Sequence, residues 1–318
     1  MSEPTLALCI PAYNAAWCLP RLLESAAAQT VPFDEVVVYD DCSPDDQVAV
    51  AERFGARVVR GEVNVGCSAG KNRLAEATDC DWVHFHDADD ELKPMFVEEA
   101  WKWMALGDEA PDVVLFSYEE RDNETGSPID TRRFDDAALR ADPVAYTIRE
   151  QVNPFCGIYR RSAFLAVGGY DLDPDVLYNE DVAFHCRMAR AGLSFRADPA
   201  VTVINHRVMN SMSQANGAKC VRAQYHVMRK AAEHALPQHQ PLVAGRLWEI
   251  AGVAGSYLDW GTADAALRLA RQLGGPVPGA GAGSAAFRAV ATVAPRSALR
   301  FRERVVRALR PQLRTSNG

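Results

Sequence analysis

The 318-residue sequence lacks an apolar run long enough to cross a bilayer, and it lacks a surplus of positive charge. Its formal net charge of -8 at pH 7 argues against a nucleic-acid binder, which needs a cationic surface to displace counterions from phosphates. The 8 cysteines include no Cys-x-x-Cys pair, which disfavours a zinc ribbon and a disulfide framework. The N-terminus has no cationic segment followed by an apolar one, so we expect a cytoplasmic protein.

Three common nucleotide-binding signatures are also missing. The segment 66–72 approaches a P-loop but has one residue too few between its glycines, and Asn72 stands where Ser or Thr would hold Mg²⁺. No Gly-x-Gly-x-x-Gly follows the first apolar run, which argues against a dinucleotide-binding dehydrogenase. The basic, glycine-rich loop of a nucleotidyltransferase is absent from the same place.

What is present is a regular alternation of strands and helices. Amphipathic segments separate five apolar runs, which predict strands at 6–10, 35–39, 57–60, 82–86 and 113–116. This order is typical of an α/β protein with a mostly parallel sheet and right-handed crossovers. The polar segment 119–150 interrupts the order, and we interpret it as loops that line a second substrate. Beyond residue 214 the alanine-rich pattern predicts a helical hairpin.

The run 82–90 is an aromatic, apolar strand that ends in the carboxylates Asp87, Asp89 and Asp90. Ligands of open α/β sheets bind at the carboxyl ends of strands, and three neighbouring acids repel one another unless they share a cation. Oxygen ligands suit Mg²⁺ or Mn²⁺ better than Zn²⁺. The run therefore predicts a metal and diphosphate site at Asp87 and Asp89. The alternative is a solvated acidic turn that caps the following helix.

The loops after the first four predicted strands emerge at one edge of the sheet. They carry Tyr13, Asp41, Lys71 and the Asp87-x-Asp89 pair. A pyrimidine needs an aromatic ring to stack on and an acceptor for its N3–H, whereas a diphosphate needs a metal and a cation. Each residue alone has an ordinary structural explanation as core, helix cap or surface charge. Together they predict a pocket for a nucleoside diphosphate.

With these residues the sequence resembles the family 2 glycosyltransferases of the GT-A fold. Six blocks match the family's pattern in its order, over roughly residues 5–210: 10–14 (Ile-Pro-Ala-Tyr-Asn), 38–43 (Val-Tyr-Asp-Asp-Cys-Ser), 64–72 (Asn-Val-Gly, then Gly-Lys-Asn), 87–90 (Asp-Ala-Asp-Asp), 168–171 (Gly-Gly-Tyr-Asp) and 179–181 (Asn-Glu-Asp). Cys42 replaces the commoner glycine, and Lys71 stands where arginine is usual. The Gln-x-x-Arg-Trp motif of the processive synthases is absent.

The resemblance implies an inverting enzyme that moves a sugar from a UDP- or dTDP-sugar to a hydroxyl of a saccharide or lipid-linked saccharide, in bacterial surface glycan assembly. It implies Mg²⁺ or Mn²⁺ as cofactor. By the same resemblance Tyr13 and Asp41 hold the base, and Lys71 approaches the base or the phosphate. Asp87 lies near the ribose, and Asp89 binds the metal. The matching donor-binding blocks also contain Pro11, Asn14, Asp40, Gly66 and Ala88.

The acceptor needs a base separate from the metal site. A helix predicted to begin after Asn179 carries Glu180 and Asp181 in its first turn. The resemblance makes Asp181 the base and Glu180 a group that contacts or orients the acceptor. The alternative is that both acids only favour the helix terminus. The resemblance also makes His206 a candidate metal ligand, and otherwise it is an ordinary histidine at the end of a strand.

These assignments divide the chain into a GT-A catalytic domain at 1–213, a helical extension at 214–273, a flexible linker at 274–284 and a basic amphipathic tail at 285–318. The catalytic domain comprises a donor half, 1–118, and an acceptor half, 119–213. The tail could lie on an anionic membrane at its inner face, or fold back on the acidic catalytic domain. The alternative function is a non-catalytic GT-A-like module that binds nucleotide-sugar, although such a module would be expected to lose Asp89 or Asp181.

Overall fold

The computed structural model describes residues 3–207, 216–275 and 284–314. The chain divides into two compact units. The first contains Met1–Thr147, Gln151–Leu172 and Phe184–Met209, and the second contains Ile148–Glu150, Asp173–Ala183 and Asn210–Gly318. The predicted boundary at residue 213 and most of the predicted linker, residues 276–283, lie outside the described residues.

The first unit contains a sheet whose described strands are β1 (Leu6–Ala12), β2 (Glu35–Asp40), β3 (Arg57–Arg60), β4 (Trp82–Phe85), β5 (Glu91–Leu92), β6 (Val113–Asp122), β7 (Pro128–Arg132), β8 (Gly157–Arg160) and β9 (Phe195–Arg207). Their order is β3-β2-β1-β4-β8-β6-β9-β5, and β7 pairs with β6. The strands β1 to β4 pair in parallel, whereas β8 runs antiparallel to both β4 and β6. This sheet, parallel in its first half and mixed beyond it, confirms the predicted fold class.

The described helices are α1 (Leu19–Ala27), α2 (Gln47–Arg53), α3 (Cys67–Ala77), α4 (Phe96–Met104), α5 (Asp136–Ala141), α6 (Pro143–Arg149), α7 (Arg161–Ala166), α8 (Glu180–Arg190), α9 (Gly217–Glu233), α10 (Gln240–Ser256), α11 (Trp260–Gln272), α12 (Ala285–Val293) and α13 (Pro295–Leu309). The last five lie in the ranges that the sequence assigns to the helical extension and the tail, and the extension contains three helices where the sequence predicted a hairpin of two. In the described part of the chain, no helix combines the length and hydropathy that a membrane span requires.

The core lies on both faces of the parallel strands. All four residues of β4 are buried, as are the first five residues of β1, which is why these segments are nearly continuous apolar runs. Helix α1 covers the sheet with Leu19, Leu22 and Leu23, which recur at helical spacing and are buried.

The prediction that 119–150 consists of loops is wrong. Strand β6 continues to Asp122, turns into β7 and is followed by α5 and α6. Asp122 closes the turn by accepting hydrogen bonds from the backbone N–H of Glu124 and Thr125. The polar composition of this segment reflects an exposed hairpin at the sheet, in which every residue of β7 is exposed or half-buried, rather than a lack of regular structure.

We predict that Gly169→Ala destabilises the protein by about 2–5 kcal/mol, because a left-handed backbone and steric overlap add together. Gly169 has φ +62°, and a Cβ there would overlap Asn72 Oδ1, which accepts a hydrogen bond from Tyr170 N. The matched control is Gly126→Ala, which has φ +69° but an open environment and should cost only about 1–2 kcal/mol. Urea unfolding midpoints measure both. Equal effects would show that Asn72 moves aside freely.

Candidate active site

A hydrogen bond joins the carboxyl ends of the neighbouring strands β1 and β2. Tyr13 comes directly after β1 and is 52% exposed, so its ring is available to a ligand. Asp41 follows β2, and its backbone N–H donates to the carbonyl of Ala12, 3.0 Å away. This bond holds the start of the loop after β2 beside the start of the loop after β1.

Asp41 fixes the next loop along this edge. Its Oδ1 accepts from Val65 N at 2.7 Å and its Oδ2 accepts from Gly66 N at 2.8 Å. Gly66 precedes α3 with φ +85°, a conformation that glycine adopts without strain. The carboxylate is only 5% exposed, yet each oxygen keeps a second lone pair for a ligand N–H.

Asp40, also predicted to bind the donor, is held by internal bonds. Its Oδ1 accepts from Gln47 Nε2 at 2.6 Å and from Ser43 N at 3.1 Å. Gln47 also donates to Ala12 O and accepts from Ala15 N, so this fully buried amide ties three segments together. Sequence reasoning missed Gln47, because no pattern distinguishes a buried glutamine from an exposed one at a helix start.

The remaining donor-block residues shape the same loops. Asn14 has φ +52° and donates its backbone N–H to Ser43 Oγ, while Pro11 lies in β1. Cys42 has φ +60°, so the glycine usual at this position is explained by backbone conformation. The cysteine keeps that conformation at a cost of about 1–2 kcal/mol.

Lys71 is a buried cation at the edge of the sheet. It lies on α3 and is 3% exposed, with Nζ 3.5 Å from Asp87 Oδ1 and 5.2 Å from the centre of the Tyr170 ring. The explanation of Lys71 as an ordinary solvated surface charge is thereby excluded.

The three acids after β4 have different surroundings. Asp90 is 1% exposed and accepts hydrogen bonds from Asn205 Nδ2 and His206 N, so it ties this loop to β9. Burial raises the pKa of Asp90 well above its usual range, and the neighbouring charges of Asp89 and Asp87 add to this. Burial also raises the pKa of Asp89, again with Asp87 adding to the effect. The role of Asp90 as an internal tie was not predicted.

His206 lies beside these acids, within β9 rather than after it. Its Nε2 is 3.2 Å from Glu91 Oε2, and burial lowers its pKa. Within the described ranges, its buried Nδ1 has no hydrogen-bond partner. Arg21, which sequence reasoning missed, donates from Nη2 to the backbone carbonyl of Asp89 and from Nη1 to Asn123 Oδ1.

A second unpredicted feature is a buried histidine pair on β4. His84 Nδ1 is 2.8 Å from the carbonyl of Gly157, and His84 Nε2 is 2.8 Å from His86 Nδ1. Burial lowers the pKa of both rings, to about 3 for His86. Because a carbonyl only accepts, a neutral His84 carries its proton on Nδ1, and its Nε2 accepts from His86 Nδ1. A neutral His86 then has no proton on Nε2, so this nitrogen is an acceptor, and it lies directly before Asp87.

The donor set fits a hard divalent cation in part. Across the described ranges, no group of three or more His, Cys, Asp or Glu side chains converges into a complete metal site. Asp87 and Asp89 supply oxygens, and their mutual repulsion is what an added cation would relieve. Mg²⁺ and Mn²⁺ are commonly held by one or two carboxylates together with substrate phosphates and water. The residues present fit that arrangement.

The predicted base belongs to the second unit. Glu180 and Asp181 occupy the first turn of α8, as the sequence predicts. In the first unit, Asp171 lies 3.9 Å from Arg187 Nη2. Asp171 is therefore paired with a cation of its own.

Comparison with known proteins assigns the family. The model of glycosyl transferase family 2 matches residues 7–168, about half of the chain. TuaG of Bacillus subtilis, named as a putative teichuronic acid biosynthesis glycosyltransferase, is 30% identical over 107 residues, which cover 32% of this chain and 42% of TuaG. The chain spans between about a third and two-fifths of the length of the first curated relatives it matches.

Two solved structures share the fold. S. aureus TarS (residues 1–349) in complex with UDP-GlcNAc has a TM-score of 0.60 at 18% identity, covering 85% of this chain and 90% of that one. The mannosyltransferase PcManGT of Pyrobaculum calidifontis, in complex with GDP-Man and Mn²⁺, has a TM-score of 0.59 at 18% identity, covering 100% and 85%. The protein is therefore of the GT-A glycosyltransferase class. It belongs to glycosyl transferase family 2, which confirms the identification made from the sequence.

We predict that Asp41→Ala speeds amide hydrogen exchange at Val65 and Gly66 by roughly 10–100-fold each, since a hydrogen bond to a charged acceptor contributes about 1.5–3 kcal/mol. The matched control is Asp45→Ala in the same loop, whose Oδ2 accepts from Ala16 N. That variant should change exchange near Ala16 and leave Val65 unaffected. Unchanged protection at Val65 and Gly66 in Asp41→Ala would contradict the assignment of Asp41 as the anchor of this loop.

Proposed function

We propose that the protein transfers a sugar from a UDP-sugar, or a dTDP-sugar, to a hydroxyl of a saccharide or lipid-linked saccharide, with inversion at the anomeric carbon. The observation that carries the proposal is the convergence of Tyr13, Asp41, Lys71 and the Asp87-x-Asp89 pair on loops of one sheet edge. Exposed Tyr13 stacks on the base, and Asp41 accepts its N3–H while holding Val65 and Gly66. UDP is favoured because the TarS structure contains UDP-GlcNAc.

In this proposal Lys71 stabilises the negative charge that develops on the leaving diphosphate. It is buried beside Asp87 and is therefore fixed in position before the donor binds. Asp89 and Asp87, with His206 as a further candidate through its open Nδ1, would hold Mg²⁺ or Mn²⁺, which supplies additional neutralisation of the diphosphate. The Mn²⁺ in the PcManGT structure supports a divalent cofactor.

The transfer itself is a single displacement. Asp181 accepts the proton of the acceptor hydroxyl as the acceptor oxygen bonds to the anomeric carbon, opposite the diphosphate. The bond from that carbon to the diphosphate oxygen breaks, and its electron pair leaves with the diphosphate. Glu180 contacts and orients the acceptor. The assignment rests on the position of both acids in the first turn of α8, in the block that resembles the family.

The acceptor class is proposed from the relatives. TuaG is named for teichuronic acid biosynthesis, which supports a role in bacterial surface glycan assembly. A lipid-linked acceptor would place the protein in the cytoplasm, peripherally at the inner face of the membrane. The alternative, a GT-A-like module that binds nucleotide-sugar without turnover, is disfavoured because Asp89 and Asp181 are both present.

We predict that Asp89→Asn lowers metal-dependent turnover by roughly 100-fold or more while UDP still binds in the presence of a chelator, because one carboxylate ligand is lost and the base contacts are kept. Asp79→Asn, an exposed acid in the loop before β4, is the control. Steady-state rates over a panel of nucleotide-sugars, with and without Mn²⁺, measure the effect. Full metal-dependent activity in Asp89→Asn would refute the metal assignment.

For Asp181→Asn we expect kcat to fall by roughly 10²–10⁴-fold with little change in donor affinity, since the shape is kept and only the basicity is removed. Asp175→Asn is the matched control, because this acid of the same unit is more exposed and pairs with His226. An unchanged kcat in Asp181→Asn would move the base to Glu180 or Asp171.

A further inference from the structure

Within the second unit, helix α13 packs on α10 and α11 by one face. Arg307 Nη2 donates to Ser256 O at 2.7 Å, and Arg296 Nη2 lies 2.8 Å from Asp264 Oδ2. Arg300 stacks over the Trp260 ring, 5.1 Å from its centre. The tail therefore contacts α10 and α11 of the helical extension, whereas the alternative drawn from the sequence was a fold-back on the catalytic domain. These contacts use only part of the helix surface.

Part of the exposed surface of α13 is apolar. Phe301, Val305 and Leu309 recur every fourth residue of α13 and are 68%, 37% and 76% exposed. Leu313, four residues after the end of the helix, is 52% exposed. We name these four residues the C-terminal stripe. Large side chains at this exposure add little to the stability of the unit that carries them. A contiguous exposed apolar surface indicates an interaction site.

A cationic cleft adjoins the C-terminal stripe. It has a volume of about 720 Å³ and is lined by Arg268 and Arg271 of α11, Arg296 and Ser297 of α13, and Val293. We name it the arginine cleft. Its one acid is Asp264, which is paired with Arg296. Over the described residues, no carboxylate lies within ion-pair distance of Arg268 or Arg271.

The two features form one surface because Ser297 lies one turn before Phe301 on the same face of α13. Arg304 follows Phe301 by three residues and is exposed beside the stripe, so positive charge adjoins the apolar side chains. Val293, at the rim of the cleft, is 82% exposed. Apolar side chains thus lie beside arginines along the whole surface, in a chain whose net charge is -8.

We propose that this surface docks on an anionic phospholipid bilayer, with headgroup phosphates in the arginine cleft and the C-terminal stripe at the acyl boundary. Arginine forks match phosphate oxygens, and side chains such as Phe301 and Leu309 reach the apolar layer that headgroups cover. A second copy is a poorer occupant, because a symmetric contact would bring two arginine-rich surfaces together. The inference does not rest on the proposed glycosyl transfer.

The experiment is co-sedimentation of the full chain with vesicles of phosphatidylcholine alone and of phosphatidylcholine with phosphatidylglycerol. We expect binding only to the anionic vesicles, and weaker binding as salt rises from roughly 50 to 500 mM. Arg268→Gln with Arg271→Gln should lower the partition by roughly 25-fold, about fivefold per arginine. Arg229→Gln with Arg246→Gln removes the same charge from α9 and α10 and should change it less.

The contribution of the C-terminal stripe is tested with the double variant Phe301→Asp with Leu309→Asp. This variant should no longer co-sediment with the anionic vesicles. Leu236→Asp is its control, because Leu236 is 55% exposed in the connection between α9 and α10. Circular dichroism and thermal unfolding check that each variant is folded. UDP-induced thermal stabilisation tests the donor site separately, so its failure would refute the proposed function and leave this inference standing.

Four outcomes would overturn the proposal. The first is absence of vesicle binding at low salt, and the second is equal loss in the variants and their controls. The third is a dimer in light scattering that Phe301→Asp with Leu309→Asp converts to monomer, since the occupant would then be a second copy. The fourth is thermal stabilisation by inorganic phosphate without vesicle binding, which would assign the cleft to a soluble phosphate.

Discussion

The bond between the Asp41 carboxylate and the amides of Val65 and Gly66 is the interaction on which the candidate donor site depends. It joins the loop after β2 to the start of α3, and α3 carries Lys71. The backbone of Asp41 in turn is bonded to Ala12, directly before Tyr13. One buried acid therefore positions an aromatic ring, a carboxylate and a cation relative to one another. Such fixed positions are what allow polar groups to stabilise developing charge without reorganising.

The acids at this edge of the sheet divide into those with internal hydrogen bonds and those that we propose bind a ligand. Asp40 and Asp90 are bonded to Gln47, Asn205 and backbone amides. Asp87 and Asp89 lack comparable partners within the described ranges, apart from Lys71 beside Asp87. Neighbouring residues of one acidic run thus have unlike roles, and spacing in the sequence does not separate them. Hydrogen-bond partners supplied by distant strands, such as Asn205 on β9, make the distinction.

Much of the donor half could be predicted from the sequence, because its strands are continuous apolar runs and its polar residues follow them directly. Tyr13, Asp41 and Asp89 all follow such a run. The segment 119–150 could not be predicted, because β7 pairs with a strand on one side only and is exposed. Gln47, Arg21 and the His84–His86 pair were missed for another reason. Their importance comes from contacts made across the fold, which leave no periodic pattern.

The raised pKa values of Asp89 and Asp90 connect the site to folding. A carboxyl whose pKa is higher in the folded chain than in the unfolded chain binds its proton more tightly when folded. Its contribution to stability is therefore lost as the pH rises from the ordinary aspartate range through the raised values. Above that window the protein holds charges that burial and mutual repulsion disfavour. Asp90 is compensated in part by Asn205 and His206 N. At Asp89 the compensation comes from its own backbone N–H and from the charge of Arg21, and burial and Asp87 outweigh it, so the pKa stays raised. A cation shared by Asp87 and Asp89 would make their ionised forms favourable instead of unfavourable. Donor and metal binding would then stabilise this edge of the sheet, where the two carboxylates otherwise repel each other.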